Sequence, residues 1–229
     1  MSTFSRPLRD AVGTIAYAED ALALIDVRQP CVQQAGPSMT TTTRYTSQVP
    51  TNTIQVLIDR DRIAARVEEL AAQISSDLAD VRSEGEIVLV PILTGAIIFV
   101  ADLIRHLPHK IRIEVASVQS YHGQKVKTKR AQIIGALPKD VQDKHVLIVD
   151  DILDSGETIQ LIRDHLSQHN PKSLRCCVLL RKQRVSAMNT PCEYIGFDIP
   201  DEFVVGYGLD YKSYYRNLPD VCTFKGDML

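Results

Sequence analysis

The 229-residue sequence predicts an α/β fold with a mostly parallel central sheet flanked by helices. Short apolar stretches alternate with stretches whose apolar residues recur at helical spacing, an order typical of parallel strands joined by helices. Several of the apolar stretches are continuously hydrophobic, which indicates strands that are buried on both faces. The composition, with 45% hydrophobic and 24% charged residues, is that of a globular protein able to bury such a sheet.

The first 52 residues differ from the rest of the chain, and we expect them to form an accessory, poorly ordered arm. A short helix is indicated over residues 16–27, but a Gly-Pro step and a run of four threonines follow it. Met39 opens this polar tract and is an alternative start of the protein. The folded domain is then expected to cover residues 53–229.

The elements of this domain begin near Ile54. Apolar residues that recur every three or four positions indicate a helix over about residues 60–77, and short apolar runs indicate the strands. The other predicted elements are a strand at 86–93, a turn at 94–95, a helix to about 106, a strand at 111–118, a polar and basic loop at 120–131, a strand at 145–149, a helix at about 156–168, and strands at 174–180, 193–197 and 203–207.

Charge, hydropathy and cysteine use exclude several classes of protein. A formal net charge of -2 gives no support for binding nucleic acid through bulk positive charge. The most membrane-like stretch, residues 87–101, is too short to span a bilayer and contains Pro91. The N-terminus lacks the apolar core of a secretory signal, and its acidic residues argue against a transit peptide. The five cysteines form no CxxC pair and suit free thiols in a reducing cytoplasm.

The clearest sign of chemistry is the stretch HVLIVDDILDSGET over residues 145–158. A buried strand ends there in two acids, Asp150 and Asp151, and a turn leads on into a helix. In open α/β sheets, ligands bind at the carboxyl ends of the strands. Two carboxylates at that position suit ribose hydroxyls or Mg²⁺.

The turn after the acid pair suits a phosphate group. Amides at a helix start lack partners within the helix, and Ser155 and Thr158 add hydroxyl donors beside them. Gly156 lets the backbone approach a ligand closely. Residue by residue, a solvated turn in which Asp154 or Ser155 caps the helix explains the pattern as well. The combination of these residues after an apolar strand is what indicates a binding loop.

This stretch resembles the phosphoribosyl-diphosphate (PRPP) signature of type I phosphoribosyltransferases. It also resembles the first strand of response-regulator receivers, in which an acid pair opens the domain. Here Asp151 lies in the second half of the chain, after residues that already alternate between strands and helices, and only 78 residues follow it. The position of the acid pair therefore favours the transferase.

A second resemblance narrows the family. Residues 179–184 and 195–216 resemble the purine-binding half of hypoxanthine-guanine phosphoribosyltransferases, and the likeness covers about residues 54–225. It implies purine salvage by a pentosyl-group glycosyltransferase, which uses Mg²⁺ and moves ribose 5-phosphate from PRPP to hypoxanthine or guanine. The products are IMP or GMP and pyrophosphate. The resemblance also implies a small hood lobe over the base and a cytoplasmic homodimer or homotetramer.

The resemblance assigns a role to each matching residue around PRPP. Asp154 matches the residue proposed to exchange a proton with the purine N7, and a carboxylate at that nitrogen can act as a general base or acid. The residues that match those binding the ribose and the 5′-phosphate are Asp150, Asp151, Asp154, Ser155, Gly156, Glu157 and Thr158. Those that match the pyrophosphate site are Leu93, Thr94, Gly95 and Arg216, and the mobile lid begins at Ser120 and Tyr121. Asp210 matches the Mg²⁺ ligand, with Asp150 and Asp151 as further candidates. Glu157 stands where relatives have lysine, so we expect it to face solvent.

Three residues match the purine site. Lys182 matches the donor to the 6-oxo group, Phe203 the aromatic that stacks on the base, and Val204 the backbone that reads its edge. The simpler alternative for Lys182 is a solvated side chain at a strand end, which is also what we expect for Arg181 and Arg184. The simpler alternative for Phe203 is an aromatic residue in the core of a strand. For Asp210 and Arg216, the alternative is a surface ion pair.

Two rival functions stay open at this point. The same fold and mechanism serve a transferase that prefers xanthine, because backbone contacts at Val204 do not reveal the group at the purine C2. A PRPP-sensing regulator on the same fold is the rival from another class. The first 52 residues contain no helix-turn-helix pattern, and the presence of Asp154 and Lys182 favours an enzyme.

Overall fold

The computed structural model describes residues 54–78, 86–121, 130–134 and 137–225, and for 119–121 and 130–132 it describes the backbone alone. The arm predicted over residues 1–52 lies outside these ranges. In chain order the elements are β1 (Ile54–Ile58), α1 (Arg60–Asp77), β2 (Ile87–Leu93), α2 (Ile97–Leu103), β3 (Ile111–Ile113), β4 (Ala116–Tyr121), β5 (Arg130–Ile133), β6 (His145–Leu153), α3 (Glu157–Ser167), β7 (Ser173–Lys182), α4 (Val185–Met188), β8 (Tyr194–Ile199), β9 (Val204–Val205) and β10 (Val221–Phe224).

The central sheet has the order β5-β4-β2-β6-β7-β8, and β3 pairs with one end of β2. Its pairs are parallel except for the antiparallel pair of β4 and β5. The predicted fold class is therefore confirmed. The strands with the longest apolar runs, β2, β6 and β7, lie next to one another in the middle, where both faces of a sheet are covered.

Alternate residues of these strands form two separate apolar layers. Leu89 and Leu147 belong to the layer covered by α1 and α2, whereas their neighbours Val88 and Val146 belong to the layer covered by α3. This division follows from the two-residue period of a strand. Helices on both faces thus hold the sheet, and its carboxyl edge is left for the loops that carry the predicted chemistry.

The first helix shows how local sequence fixes an element. Asp59 caps it, because its carboxylate accepts a hydrogen bond from the Arg62 amide at 2.9 Å. Five of its side chains are buried at helical spacing: Ile63, Val67, Leu70, Ala71 and Ile74. None of the helices in the described residues is both long and apolar enough to cross a membrane.

A second, smaller sheet is made from the two ends of the domain. Its antiparallel order is β1-β10-β9, so the first strand pairs with the last. The predicted lobe built from the chain ends is therefore confirmed. Its strand β9 directly follows Phe203, one of the residues predicted to bind the base.

Several element bounds differ from the prediction. The strands expected at 145–149 and 193–197 continue to Leu153 and Ile199, so the acid pair lies within β6 rather than after it. The strands β5 and β10 were not predicted. The strand expected at 111–118 is divided into β3 and β4, and β4 continues to Tyr121, inside the expected loop. The strand expected at 203–207 contains only Val204–Val205. It ends there because Gly206, Tyr207 and Gly208 have φ angles of 95°, 50° and 100°, which are incompatible with an extended chain.

Candidate active site

The carboxyl ends of β6, β7 and β8 open onto a cleft of about 560 Å³, and the small lobe lines its other side. Six of the predicted site residues line this one cleft: Asp151, Asp154, Lys182, Phe203, Val204 and Asp210. The other lining residues are Ile152, Arg184, Asp201, Glu202 and Leu209. The fold therefore brings together the predicted ribose, purine and metal residues, which are up to 59 positions apart in the sequence.

The predicted phosphate loop lies beside this cleft, in a depression of about 440 Å³ that includes Ser155, Gly156 and Glu157. Gly156 has a φ of 87°, and an added Cβ would overlap Thr190 Oγ1, so this position requires glycine. The helix α3 begins directly after it, and no side chain of the described residues caps it. Its first amides therefore lack protein acceptors, apart from a weak contact from the Glu157 amide to Ser155 Oγ at 3.4 Å.

Two side chains of the predicted loop face different surroundings. Glu157 is exposed to solvent, whereas Thr158 is half-buried in the first turn of α3. A carboxylate in the first turn of a helix is favourable through its interaction with the helix dipole. Because Glu157 is exposed, it need not approach a phosphate bound at the amides.

The acid pair lies deeper, in the C-terminal third of β6, where Asp150 pairs with Val178 of β7. Asp150 is 7% exposed, and its Oδ1 accepts a hydrogen bond from the Asp151 amide at 3.0 Å. Burial raises the pKa of Asp150 well above its ordinary value, and the negative charge of Asp151 adds to this. Burial also raises the pKa of Asp151. Two neighbouring carboxyl groups with raised pKa values are suited to form hydrogen bonds with hydroxyl groups or to bind a cation.

The Asp150→Asn variant is expected to be more stable than the parent protein at neutral pH, in the absence of PRPP and divalent metal. A carboxyl whose folded-state pKa is raised stabilises the fold at low pH, and this stabilisation is lost as the pH rises through the folded-state pKa. Asparagine keeps the acceptor for the Asp151 amide and carries no charge. We expect Tm at pH 7.5 to rise by about 2–4 °C, the shift that about 1 kcal/mol produces in a protein of this size.

Thermal melts at several pH values check this expectation. The gain should shrink as the pH falls towards about 4, where the carboxyl of the unfolded chain also becomes protonated. An Asp150→Asn variant that melts below the parent at pH 7.5 would show that the free fold stabilises the ionised acid pair.

The predicted pyrophosphate loop, Leu93 to Gly95, packs against the acid pair. The peptide bond between Leu93 and Thr94 is cis, and an added Cβ at Gly95 would overlap Asp151 Oδ2. On its other side, the Gly95 carbonyl oxygen lies against Gly208. The loop after β2, the acid pair and the loop after β9 therefore meet at one point.

The loop after β9 carries Asp210 and Arg216, which form an ion pair of 2.7 Å at the edge of the cleft. The Arg216 guanidinium also donates to the Gly208 carbonyl at 2.6 Å, and Asp210 Oδ2 accepts from the Ser213 amide. The ion pair that was the alternative to ligand binding by Asp210 and Arg216 is therefore present. It lies at the edge of the cleft, where it does not exclude binding of a ligand. Tyr207 anchors the loop to α2 by donating to Asp102 at 2.6 Å.

The predicted aromatic of the base site is not in the core of a strand. Phe203 is 41% exposed and lines the cleft just before β9. Its ring packs against Tyr211 and Phe224 in edge-to-face arrangements, with ring centroids 5.9 and 6.1 Å away. The exposed part of this ring is available to stack on a planar ligand in the cleft. Val204 is buried and contributes to the lining of the same cleft.

Four charged residues form a cluster at the cleft floor, which we call the charge cluster: Asp154, Lys182, Arg184 and Asp201. Lys182 Nζ lies 3.6 Å from Asp154 Oδ1 and 3.5 Å from Asp201 Oδ1. Arg184 contacts the same two carboxylates at 2.8 and 2.5 Å. The hydrogen bond from Arg184 lowers the pKa of Asp201, which therefore stays ionised.

Sequence reasoning missed two members of the charge cluster. Arg184 was expected to be solvated, and Asp201 was given no role. A signal was present for the first, because Arg184 follows Lys182 by two positions, and residues two apart on an extended chain share a side. Of the other predicted residues, Ser120 and Tyr121 lie in β4, and their side chains are outside the described part of the chain.

Comparison with known proteins decides the family. The model of the phosphoribosyl transferase domain matches residues 57–212. This chain belongs to the phosphoribosyltransferase family. A hypoxanthine phosphoribosyltransferase of Escherichia coli strain K12 is 43% identical over 168 residues, which are 73% of this chain and 93% of that protein. A hypoxanthine-guanine phosphoribosyltransferase of Mycobacterium tuberculosis strain H37Rv is 39% identical over 170 residues, 73% of this chain and 84% of that protein.

Solved structures of phosphoribosyltransferases agree with the sequence comparison. A hypoxanthine phosphoribosyltransferase of Staphylococcus aureus superposes with a TM-score of 0.70 at 38% identity, covering 79% of this chain and 96% of that one. A hypoxanthine-guanine phosphoribosyltransferase of Bacillus anthracis gives a TM-score of 0.66 at 38% identity, covering 74% and 97%. The predicted family is thus confirmed, and the response-regulator alternative is wrong. The roles of individual site residues stay predictions.

Proposed function

We propose that this phosphoribosyltransferase transfers ribose 5-phosphate from PRPP to hypoxanthine or guanine, giving IMP or GMP and pyrophosphate in purine salvage. The observation that carries the proposal is the meeting of Asp154, Lys182 and Phe203 in one cleft beside the acid pair. A cation, a carboxylate and an aromatic ring at one site match the groups of a 6-oxopurine. The relatives at 39–43% identity are named for hypoxanthine or for hypoxanthine and guanine.

Lys182 selects the base in this proposal. An ammonium group only donates hydrogen bonds, so it suits the 6-oxo group of hypoxanthine or guanine and opposes the 6-amino group of adenine. Its position at the end of β7 supports this role, because Lys182 is 8% exposed, lines the cleft, and lies 3.5–3.6 Å from the two carboxylates that face it, which leaves its ammonium group able to bond a ligand. Phe203 stacks on the purine ring, and the backbone at Val204 reads the edge around C2.

PRPP lies across the carboxyl edge of the sheet in this proposal. The amides at the start of α3, with Ser155 and Thr158, bind the 5′-phosphate. The acid pair holds the ribose hydroxyls. Pyrophosphate lies between the Thr94-Gly95 backbone and Arg216, whose planar group can donate two parallel bonds to phosphate oxygens. Ser120 and Tyr121 begin a lid that excludes water from the reacting carbon, where water would hydrolyse PRPP.

In this proposal Asp154 exchanges a proton with the purine N7. Its carboxylate lies in the cleft with Lys182, so a 6-oxo group on the lysine brings the purine N7 towards the acid. Asp154 takes the proton from N7 while N9 of the same imidazole ring attacks C1 of the ribose. The bond between C1 and pyrophosphate breaks, and pyrophosphate departs. In the reverse direction Asp154 returns the proton.

The residues at the cleft fit a magnesium ion that arrives with PRPP. Among the described residues, no group of three or more His, Cys, Asp or Glu side chains is placed to hold a metal by itself. Mg²⁺ commonly uses one or two carboxylates together with substrate phosphates and water, and Asp210 and Asp151 line the cleft as such a pair. Asp150 is a further candidate. When bound, the ion neutralises the charge of the pyrophosphate leaving group.

The proposal also covers assembly and location. We place the enzyme in the cytoplasm, where its free cysteines stay reduced, as a homodimer or homotetramer. Light scattering behind size-exclusion chromatography measures the assembly directly, and a monomer at micromolar concentration would contradict it.

A spectrophotometric assay tests the proposed reaction. PRPP and Mg²⁺ are offered with hypoxanthine, guanine, xanthine and adenine in separate reactions. Nucleotide formed from hypoxanthine or guanine, and little from adenine, is the expected result. Activity on xanthine alone would correct the base and keep the mechanism. PRPP binding without turnover of any base would favour the regulator.

The Lys182→Ala variant is expected to lose use of 6-oxopurines and to keep its affinity for PRPP. A hydrogen bond from a charged donor contributes about 1.5–3 kcal/mol, which corresponds to a rise of about 10- to 150-fold in KM for hypoxanthine. Steady-state kinetics with each substrate varied in turn measures both constants. Lys144→Ala is a matched control, because this lysine is also ion-paired, at 2.7 Å from Asp140, and lies outside the cleft. An unchanged KM and kcat for hypoxanthine would rule out the role of Lys182.

A further inference from the structure

The charge cluster holds Asp154 from one side. Both of its cations face the same oxygen, Asp154 Oδ1, and this atom is inaccessible to solvent. The Asp154 side chain is nevertheless 34% exposed, so the exposed area belongs to its other atoms. The carboxylate is therefore turned, with one oxygen against the cations and the remainder open to the cleft.

Arg184 is the member of the charge cluster that fixes this orientation. Its Nη1 lies 2.8 Å from Asp154 Oδ1, an ion pair rather than a hydrogen bond, because Oδ1 accepts no hydrogen bond from the described residues. Its Nε lies 2.5 Å from Asp201 Oδ2. One planar guanidinium thus ties the turn after β6 to the turn after β8. Lys182 lies 3.5 Å or more from both carboxylates, outside good hydrogen-bond distance, and is the group that the proposed function assigns to the purine.

The backbone of Arg184 is well anchored. Its amide donates to the Lys182 carbonyl at 2.7 Å, and its own carbonyl accepts from the Met188 amide at 2.9 Å. The preceding Gln183 amide donates to the Ile199 carbonyl of the neighbouring strand. A side chain that starts from so fixed a backbone can hold its partner in one place without reorganisation when substrate binds.

We infer that Arg184 is a positioning residue for the reaction: it holds Asp154 Oδ1 so that the other carboxylate oxygen faces the purine N7. This rests on the proposed function, since it assumes that Asp154 exchanges a proton with the base. When Lys182 turns to the 6-oxo group, Arg184 remains as the counter-charge of Asp154. Asp201 acts through Arg184 by holding the guanidinium from behind.

The test compares Arg184→Gln, Arg184→Lys and Asp201→Asn with the full-length parent enzyme. Arg184→Gln is expected to lower kcat for hypoxanthine by about 10- to 100-fold, the cost of a reacting group displaced by about 1 Å, with both KM values changed less than about threefold. Arg184→Lys keeps the charge and one of the two contacts, so it should recover part of the loss. Asp201→Asn should lower kcat less, and adding it to Arg184→Gln should lower kcat no further.

Arg181→Gln is the matched control. Arg181 lies on the same strand, one position before Lys182, and pairs with Asp198 at 2.6 Å outside the cleft. Its loss should change Tm by as much as the loss of Arg184 and leave kcat unchanged. Equal kcat in Arg184→Gln and Arg181→Gln would overturn the inference, as would a rise in KM for either substrate at constant kcat. A parent enzyme that converts no purine would instead refute the proposed function, and the inference with it.

Discussion

The Asp154→Asn variant is expected to lower kcat for hypoxanthine by about 100- to 10,000-fold, the usual contribution of a general acid or base. Asparagine has the shape of aspartate and still offers an oxygen to Arg184, but its amide cannot take up the N7 proton. In the proposed function, PRPP is bound chiefly by the loop amides and the acid pair, which this substitution leaves unchanged, and asparagine keeps the shape of Asp154 within that loop. KM for PRPP should therefore stay within about threefold of the parent value, and isothermal titration with PRPP and Mg²⁺ checks this separately.

A structural role for Asp154 predicts a different outcome. If the residue merely capped α3, its replacement would lower Tm and leave kcat largely intact. The helix begins after Gly156 without a side-chain cap among the described residues, so we expect little change in Tm. Asp198→Asn is a suitable control, since this acid lies in β8, pairs with Arg181 at 2.6 Å and lines neither the cleft nor the depression beside it. Activity of Asp154→Asn near that of the parent would show that another group moves the proton.

The fold was largely predictable because its central strands are continuously apolar. The runs that become β2, β6 and β7 can be buried only between two layers of helices, and the sequence supplies those helices between them. The end of β9 was not predictable in this way. Tyr207 continues the alternating apolar pattern, but its φ of 50° and its hydrogen bond to Asp102 take it out of the strand. That bond joins residues 105 positions apart, beyond the reach of a local pattern.

The residues of the candidate cleft were predictable where several of them lie in one segment of the sequence. The acid pair and Asp154 lie within five residues, and the resemblance placed Lys182 and Phe203 relative to them. The charge cluster was not predictable, because its ion pairs join the ends of three different strands. An arginine at a strand end is most often solvated, and only the pairing of β6, β7 and β8 brings Arg184 between Asp154 and Asp201.

The Gly95→Ala variant is expected to raise KM for PRPP by about 100-fold while the protein stays folded. An added Cβ would overlap Asp151 Oδ2 and lie 2.6 Å from Asp151 Cγ. These atoms form the end of a side chain, so the carboxylate can move aside and the backbone can stay in place. The predicted ribose contact is then lost, and hydrogen bonds to a charged group contribute about 1.5–3 kcal/mol. Steady-state kinetics with PRPP varied measures the effect.

Gly196→Ala separates this effect from general destabilisation. There an added Cβ would overlap the Leu179 carbonyl oxygen, a backbone atom in the middle of β7 that cannot move without disturbing the sheet. We expect this variant to melt at a lower temperature and to keep the KM for PRPP of the parent in the fraction that folds. If Gly95→Ala instead lowers Tm as much as Gly196→Ala and keeps the KM, then the contact of Gly95 with Asp151 serves the fold. If the KM rises at constant Tm, the close approach of the two loops exists to place the Asp151 carboxylate against the ribose.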